Sequence, residues 1–375
     1  LAKCLLLLVL SSGLLVADDW PTAQHDNRRT GFNPESLETQ RLVPGWSWQS
    51  PFPPQPAWHG PAKWDAYARI RDLPSMRSYD LVFHTTAFGD AVFFGSSADD
   101  SVYCLDASSG KERWRCTTDG PIRVAPTITN GLVYFGSDDG SVYCVDAGNG
   151  ELKWQFRPID PGRRILNNGR FISPWPCRTG VLVDGGLARF ACSLLPWSET
   201  YLCAINAETG ETTGPGTYIN KLSGQTIEGA PALSEKLVLF PQGRVAPQVF
   251  SREDGRDLGQ LKKSGGGSIV VVTLDSKIMH GPATDSRRGG IGSRDPEKLE
   301  MVASHGRGSA LVVSDSTSYM LADDELVATD LATQKARFRV PCEFRLSLAG
   351  AGNAVFAGGE YGVAAFDAKS GEQLW

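Results

Sequence analysis

The 375-residue sequence contains no adjacent cysteines, no CxxC, no HxxxH, no Gly-x-Ser-x-Gly and no phosphate-binding loop, and it has only five histidines, at 25, 59, 84, 280 and 305. These gaps exclude the usual zinc spacings, thiol–disulfide exchange, the nucleophile elbow of serine hydrolases and P-loop nucleotide chemistry. Lone histidines of this kind are expected at turns or in the core. Long amphipathic helical patterns are also missing. The one strongly apolar run, Cys4 to Ala17, is shorter than the roughly 20 residues that cross a bilayer, so an integral membrane protein is not expected. Positive charge is not in excess: 37 basic against 42 acidic residues give a net charge of −5 and a pI near 5.6. Nucleic acid and anionic membrane surfaces are therefore poor candidates as main partners.

What is abundant is turn-forming residues. Forty-one glycines and 23 prolines in an otherwise ordinary globular composition favour many short strands. The opening "LAKCLLLLVLSSGLLVADD" reads as a secretory signal peptide over residues 1–17, with cleavage after Ala17 or Gly13, and predicts an exported, periplasmic or extracellular protein. The sequence starts with Leu rather than Met. Beyond Cys4, seven cysteines remain (104, 116, 144, 177, 192, 203 and 342), an odd number and a poor disulfide framework.

Fourteen residues occur nearly twice: "SVYCLDASSGKERW" from Ser101 and "SVYCVDAGNGELKW" from Ser141. The shared Asp-x-x-x-Gly-x-x-x-Trp appears as Asp106, Gly110, Trp114; Asp146, Gly150, Trp154; and Asp367, Gly371, Trp375. Degenerate copies fall at Asn206, Gly210, Gly214; Ser251, Gly255, Gly259; and Asp330, Gln334, Phe338. In each copy an apolar β-prone stretch ends in a side chain that can accept hydrogen bonds from the turn it opens. Gly supplies a positive φ, and Trp starts the next strand with enough area to wedge between sheets. Two positions before the marker stand Cys104, Cys144, Ala204, Val249, Ala328 and Ala365, a column of compact side chains in which cysteine acts as a small hydrophobe. The upstream strands "GLVYFGSDDG" and "IRVAPTI" complete a four-stranded unit.

Such units are the sequence form of an all-β propeller. The stretches "GLVYFGSDDGSVYCVDAGNGELKW" and "NAVFAGGEYGVAAFDAKSGEQLW" resemble the repeats of the pyrrolo-quinoline quinone (PQQ) family, with its tryptophan-docking motif. That family includes quinoprotein alcohol dehydrogenases and non-enzymatic propellers such as the outer-membrane assembly factor BamB. "DWPTAQHDNRRTG" resembles the N-terminal segment of exported members. The resemblance runs from Trp20 to Trp375 and implies eight blades. Seven are traceable in the sequence. Residues 18–80 are expected to hold an N-terminal segment, with "LVPGWSWQS" as a propeller-closing strand, and residues 81–375 a propeller incomplete at its C-terminus.

The face where A strands begin is the expected ligand site. Three insertions are placed there, at residues 51–80, 158–176 and 282–304. The second contributes Arg163, Arg164, Asn168 and Trp175. An ungapped column through the A strands reads Val82, Arg123, Arg178, Glu228, Ser268, Arg307 and Arg345, an arginine-rich mouth suited to carboxylates or phosphates. Alternatively, these arginines pair with aspartates such as Asp119 and Asp184 and stitch blades together. "RRGGIGSRD" is expected to be a loop.

Two functions follow. One is a monomeric, non-catalytic binding or assembly scaffold for a protein, an anionic small molecule or a glycan. The other is a PQQ-dependent dehydrogenase of an alcohol or sugar, with calcium. In that reading the arginine column would hold the quinone's carboxylates and Glu228 would be a calcium ligand or base. The resemblance departs from many alcohol-oxidising members at one point, since no Cys-Cys pair is present.

Overall fold

A computed structural model describes residues 19–39, 42–52, 85–160, 162–167, 169–195, 197–242, 245–261, 269–281 and 290–375. Residues 1–17, expected to be a signal peptide, most of the first expected insertion, Val82, Asn168 and Ser268 lie outside the described residues. Within them the strands form seven four-stranded sheets and one two-stranded hairpin. The protein is a β-propeller. Blades 1 to 6, whose A strands begin at Thr85, Thr127, Leu182, Ala232, Ile269 and Ala310, are antiparallel meanders, A to D from the axis outward, and blade 7 holds Ser347–Ala351, Ala354–Gly358 and Val363–Asp367. Blade 2 is representative: Thr127–Thr129, Leu132–Gly136, Val142–Asp146 and Leu152–Phe156. Its middle strands are sandwiched between neighbouring blades and are apolar almost throughout, whereas the outermost strand buries only Trp154. No helix among the described residues is long and apolar enough to cross a membrane.

The marker works as its chemistry dictates. Asp146 Oδ1 accepts from the backbone N–H groups of Gly148 and Asn149, Gly150 takes φ +73°, and Trp154 pairs across to Cys144. Trp114 Nε1 donates to Ala147 O at 2.9 Å and its ring covers Gly150 of blade 2. Trp154 Nε1 donates to Ala207 O at 3.0 Å and covers Gly210 of blade 3. A side chain on either glycine would collide with the docked indole, so Gly is required twice over, for backbone and for space. Trp46 repeats the move on blade 1: its Nε1 donates to Ala107 O at 2.9 Å and its ring covers Gly110. Cys104 and Cys144 are buried beside their tryptophans, and all seven described cysteines are free.

Three sequence expectations are corrected. In blade 3 the residue paired with Ala204 is Tyr218, not Gly214, because the C-to-D turn is four residues longer; Tyr218 then covers Gly255. The expected insertion at 282–304 holds regular structure. Gly292–Arg294 and Met301–Ser304 are the third and fourth strands of blade 5, so part of "RRGGIGSRD" is strand rather than loop. A worn marker had hidden them: Asp295 Oδ1 accepts from the Glu297 and Lys298 N–H groups, and Leu299 supplies the positive φ.

The N-terminal segment runs around the inside of the ring and touches the A strand of every blade in order. Trp20 bridges Ala87 in both directions, and Pro21 O accepts from Ile128 N. Asn27 bonds Val183 O through its side chain and Leu233 N through its carbonyl. Arg28, Thr30 and Gly31 carbonyls then accept from Val272, Val313 and Gly350 at 2.8 Å each. Phe32–Asn33 finally adds a parallel strand inside blade 7. The segment therefore closes in on the ends of the A strands, leaving their starts as the opposite face of the channel.

Candidate functional site on the face where A strands begin

Arg123 and Arg178 precede the A strands of blades 2 and 3 and converge on one carboxylate, Asp138, in the B-to-C turn of blade 2. Arg123 Nε reaches Asp138 Oδ2 at 2.8 Å, while Arg178 Nε and Nη2 take Oδ1 and Oδ2 at 2.9 Å each. Asp138 is 0 % exposed and the Arg178 side chain 3 %. Burial pushes the Asp138 carboxyl up, but the two guanidiniums outweigh it and hold the group below the usual carboxylate range. The partner is thus Asp138 rather than Asp119 or Asp184. Asp119 instead takes Arg164 at 2.8 Å, and Asp184 pairs with Arg189 and Arg252.

The insertion of residues 158–176 lies over this triad. Its hairpin, Ile165–Asn167 with Arg170–Ile172, is pinned to blade 1 by Arg170, which pairs with Asp100 and donates to Ala98 O at 2.8 Å. Burial raises the Asp100 carboxyl, and Arg170 opposes that rise. Ser173 N and Cys177 N bond the carbonyls of Asp138 and Ser137, so the insertion is tied to the turn that holds the triad. Trp175 packs edge-on against Tyr201, and its Nε1 is buried without a hydrogen-bond partner. Leu166 and Phe171 pair across the hairpin and are both exposed, as is Arg163.

The same column ends differently on the far side of the ring. Arg307 is exposed and, with His305, Arg339, Asp324 and Glu325, lines a cleft of about 410 Å³. Arg345 pairs with Asp324 at the surface, with 57 % and 72 % of the two side chains exposed. His305 Nε2 and Ser293 Oγ share a hydrogen bond at 2.6 Å, and because Ser293 is buried within its strand the bond joins neighbouring strands rather than presenting a nucleophile and base. Glu228 is half-buried ahead of the A strand of blade 4 and makes interactions of its own.

Residues 80–213 match the family model described as outer membrane protein assembly factor BamB. Over that stretch the chain matches a repeat of the PQQ type. BamB from Moraxella catarrhalis superposes with a TM-score of 0.53 at 15% identity, covering 74% of this chain and 79% of that one. A quinohemoprotein alcohol dehydrogenase from Comamonas testosteroni gives 0.62 at 14% identity, covering 95% and 72%. A europium-containing methanol dehydrogenase gives 0.60 at 12% identity, covering 95% and 84%. These likenesses establish the fold. No curated protein matches by sequence.

The resemblance to the PQQ family raises the question of a quinone held with calcium. Calcium takes about six to eight oxygen ligands. Among the described residues no three His, Cys, Asp or Glu side chains converge closely enough to hold a metal. On the relevant face the Asp138 carboxylate already accepts from two guanidiniums.

Proposed function

We propose that this PQQ-repeat propeller is an exported, non-catalytic scaffold that binds a partner protein on the face where its A strands begin. The observation that carries this reading is the Arg123–Asp138–Arg178 triad. Two of the four arginines that could have cradled the carboxylates of a cofactor are spent, buried, on joining blades 2 and 3. What that face offers outward is the Leu166 and Phe171 pair, Arg163 and the exposed Arg307 and Arg345, a mixed apolar and cationic surface. Aromatic and arginine side chains are the usual anchors of protein interfaces, and this surface favours an anionic, partly apolar loop.

The second reading, a PQQ-dependent dehydrogenase, is favoured by one observation: the superpositions covering 95% of the chain are on such enzymes. Titration of PQQ with and without calcium, followed by absorbance and thermal melting, separates the two. The scaffold reading expects no saturable binding by folded protein. Saturable, calcium-dependent binding that weakens in Arg123→Lys would overturn it.

A further inference from the structure

The N-terminal segment carries a buried charge that the functional face does not use. Arg29 is 2 % exposed and sits in the left-handed region at φ +63°. Its guanidinium reaches across the ring interior. Nε donates to Pro231 O at 2.7 Å, ahead of the A strand of blade 4. Nη1 donates to Thr22 Oγ1 at 2.8 Å, and Thr22 in turn bonds Thr127 Oγ1 of blade 2. Nη1 also meets the carbonyls of Ala23 at 2.7 Å and Asp26 at 3.1 Å. Every one of these acceptors is neutral.

Nη2, the outer corner of the fork, is buried with no hydrogen-bond partner. The nearest acid, Asp26, turns its carboxylate elsewhere, to Thr30 N at 3.1 Å, Thr30 Oγ1 at 2.8 Å and Arg28 Nε at 3.9 Å. Burial lowers the Arg29 pKa to about 10, with Asp26 opposing the fall, so the group stays cationic at neutral pH. A desolvated guanidinium without a hydrogen-bonded counter-charge is costly; buried Arg123, Arg178 and Arg189 each have a carboxylate within reach, whereas Arg29 and Arg294 of blade 5 each leave Nη2 without a partner among neutral acceptors. A water molecule could accept from Nη2, but it would leave the charge uncompensated.

We infer that Arg29 Nη2 binds a small anion of halide class inside the propeller ring, as the counter-charge that locks the N-terminal segment across the blades. The size limit follows from burial: Arg29 is 2 % exposed and its Nε and Nη1 are already bonded to Pro231 O, Thr22 Oγ1, Ala23 O and Asp26 O. This inference is independent of what binds on the opposite face.

The test uses the whole exported chain with bromide as probe. Crystals grown in bromide should show an anomalous peak in contact with Arg29 Nη2. In solution, replacing gluconate by chloride at constant ionic strength should raise Tm, by about 2 °C per tenfold increase once the site is saturated. That rise should disappear in Arg29→Met. If Arg29→Met does not fold, the bromide experiment on the unaltered protein decides alone. Density for water at Nη2, without anomalous signal in saturating bromide, overturns the inference.

Discussion

Arginines from one sequence column meet opposite fates on the two sides of the ring. At blades 2 and 3, Arg123 and Arg178 close on a fully buried carboxylate, while at blades 6 and 7, Arg307 and Arg345 stand in solvent. Arg345 holds the same register ahead of its A strand as Arg123 and Arg178, whereas Arg307 falls one residue early, with Gly308 in the equivalent place; the facing B-to-C turns differ as well. In blade 2 that turn is Ser-Asp-Asp-Gly. It places Asp138 inward, where Asp138 N bonds Pro121 O, and Asp139 outward onto Tyr143. In blade 6 the turn is Ala-Asp-Asp-Glu and both aspartates face water. An arginine's role in this fold is set by the turn beside it.

The largest effect expected from this contrast is that of Asp138→Asn. It leaves two buried guanidiniums around a neutral group and should cost about 3–5 kcal/mol by denaturant unfolding, without changing the slope of the transition. Trp154→Ala should cost about 3 kcal/mol by emptying the wedge over Gly210, with Phe338→Ala on the far side costing less; thermal melts rank the two. Acid sensitivity should divide the same way. Because the folded Asp138 carboxyl lies below its unfolded value of about 3.9, its contribution is complete above that pH and fades as pH falls through the folded value. A Tm series between about pH 6 and pH 2 should therefore fall more steeply for the unaltered chain than for Asp138→Asn. The smallest effect is Arg345→Ala, within about 0.5 kcal/mol of the parent, because its pair with Asp324 is exposed.

The architecture was readable because its marker combines three side chains with separate physical duties. Asp146 binds a turn, Gly150 takes a conformation that others avoid, and Trp154 covers a neighbour, so the triplet survives as a pattern. Where one duty passes to another residue the pattern fades. Tyr218 docks four residues late, Leu299 stands in for Gly, and the third and fourth strands of blade 5 carry no recognisable marker. The triad was half legible. A gapless column could find Arg123 and Arg178, but not that Asp138, 40 residues before Arg178 in another blade, lies between them. Residues 19–31 were recognisable only by resemblance, and their path around the ring was not legible, because it depends on backbone bonds to six separate A strands and on the Asn27 side chain at a seventh.

The most direct test of the contrast is a pair of double-mutant cycles. The coupling of Asp138 with Arg178, from Asp138→Asn, Arg178→Met and the double variant, should be about 2–3 kcal/mol, against less than about 0.5 kcal/mol for Asp324 with Arg345. Equal, negligible coupling in both cycles would contradict the structural role of the blade 2 and 3 arginines and return them to the pool of ligand-binding groups.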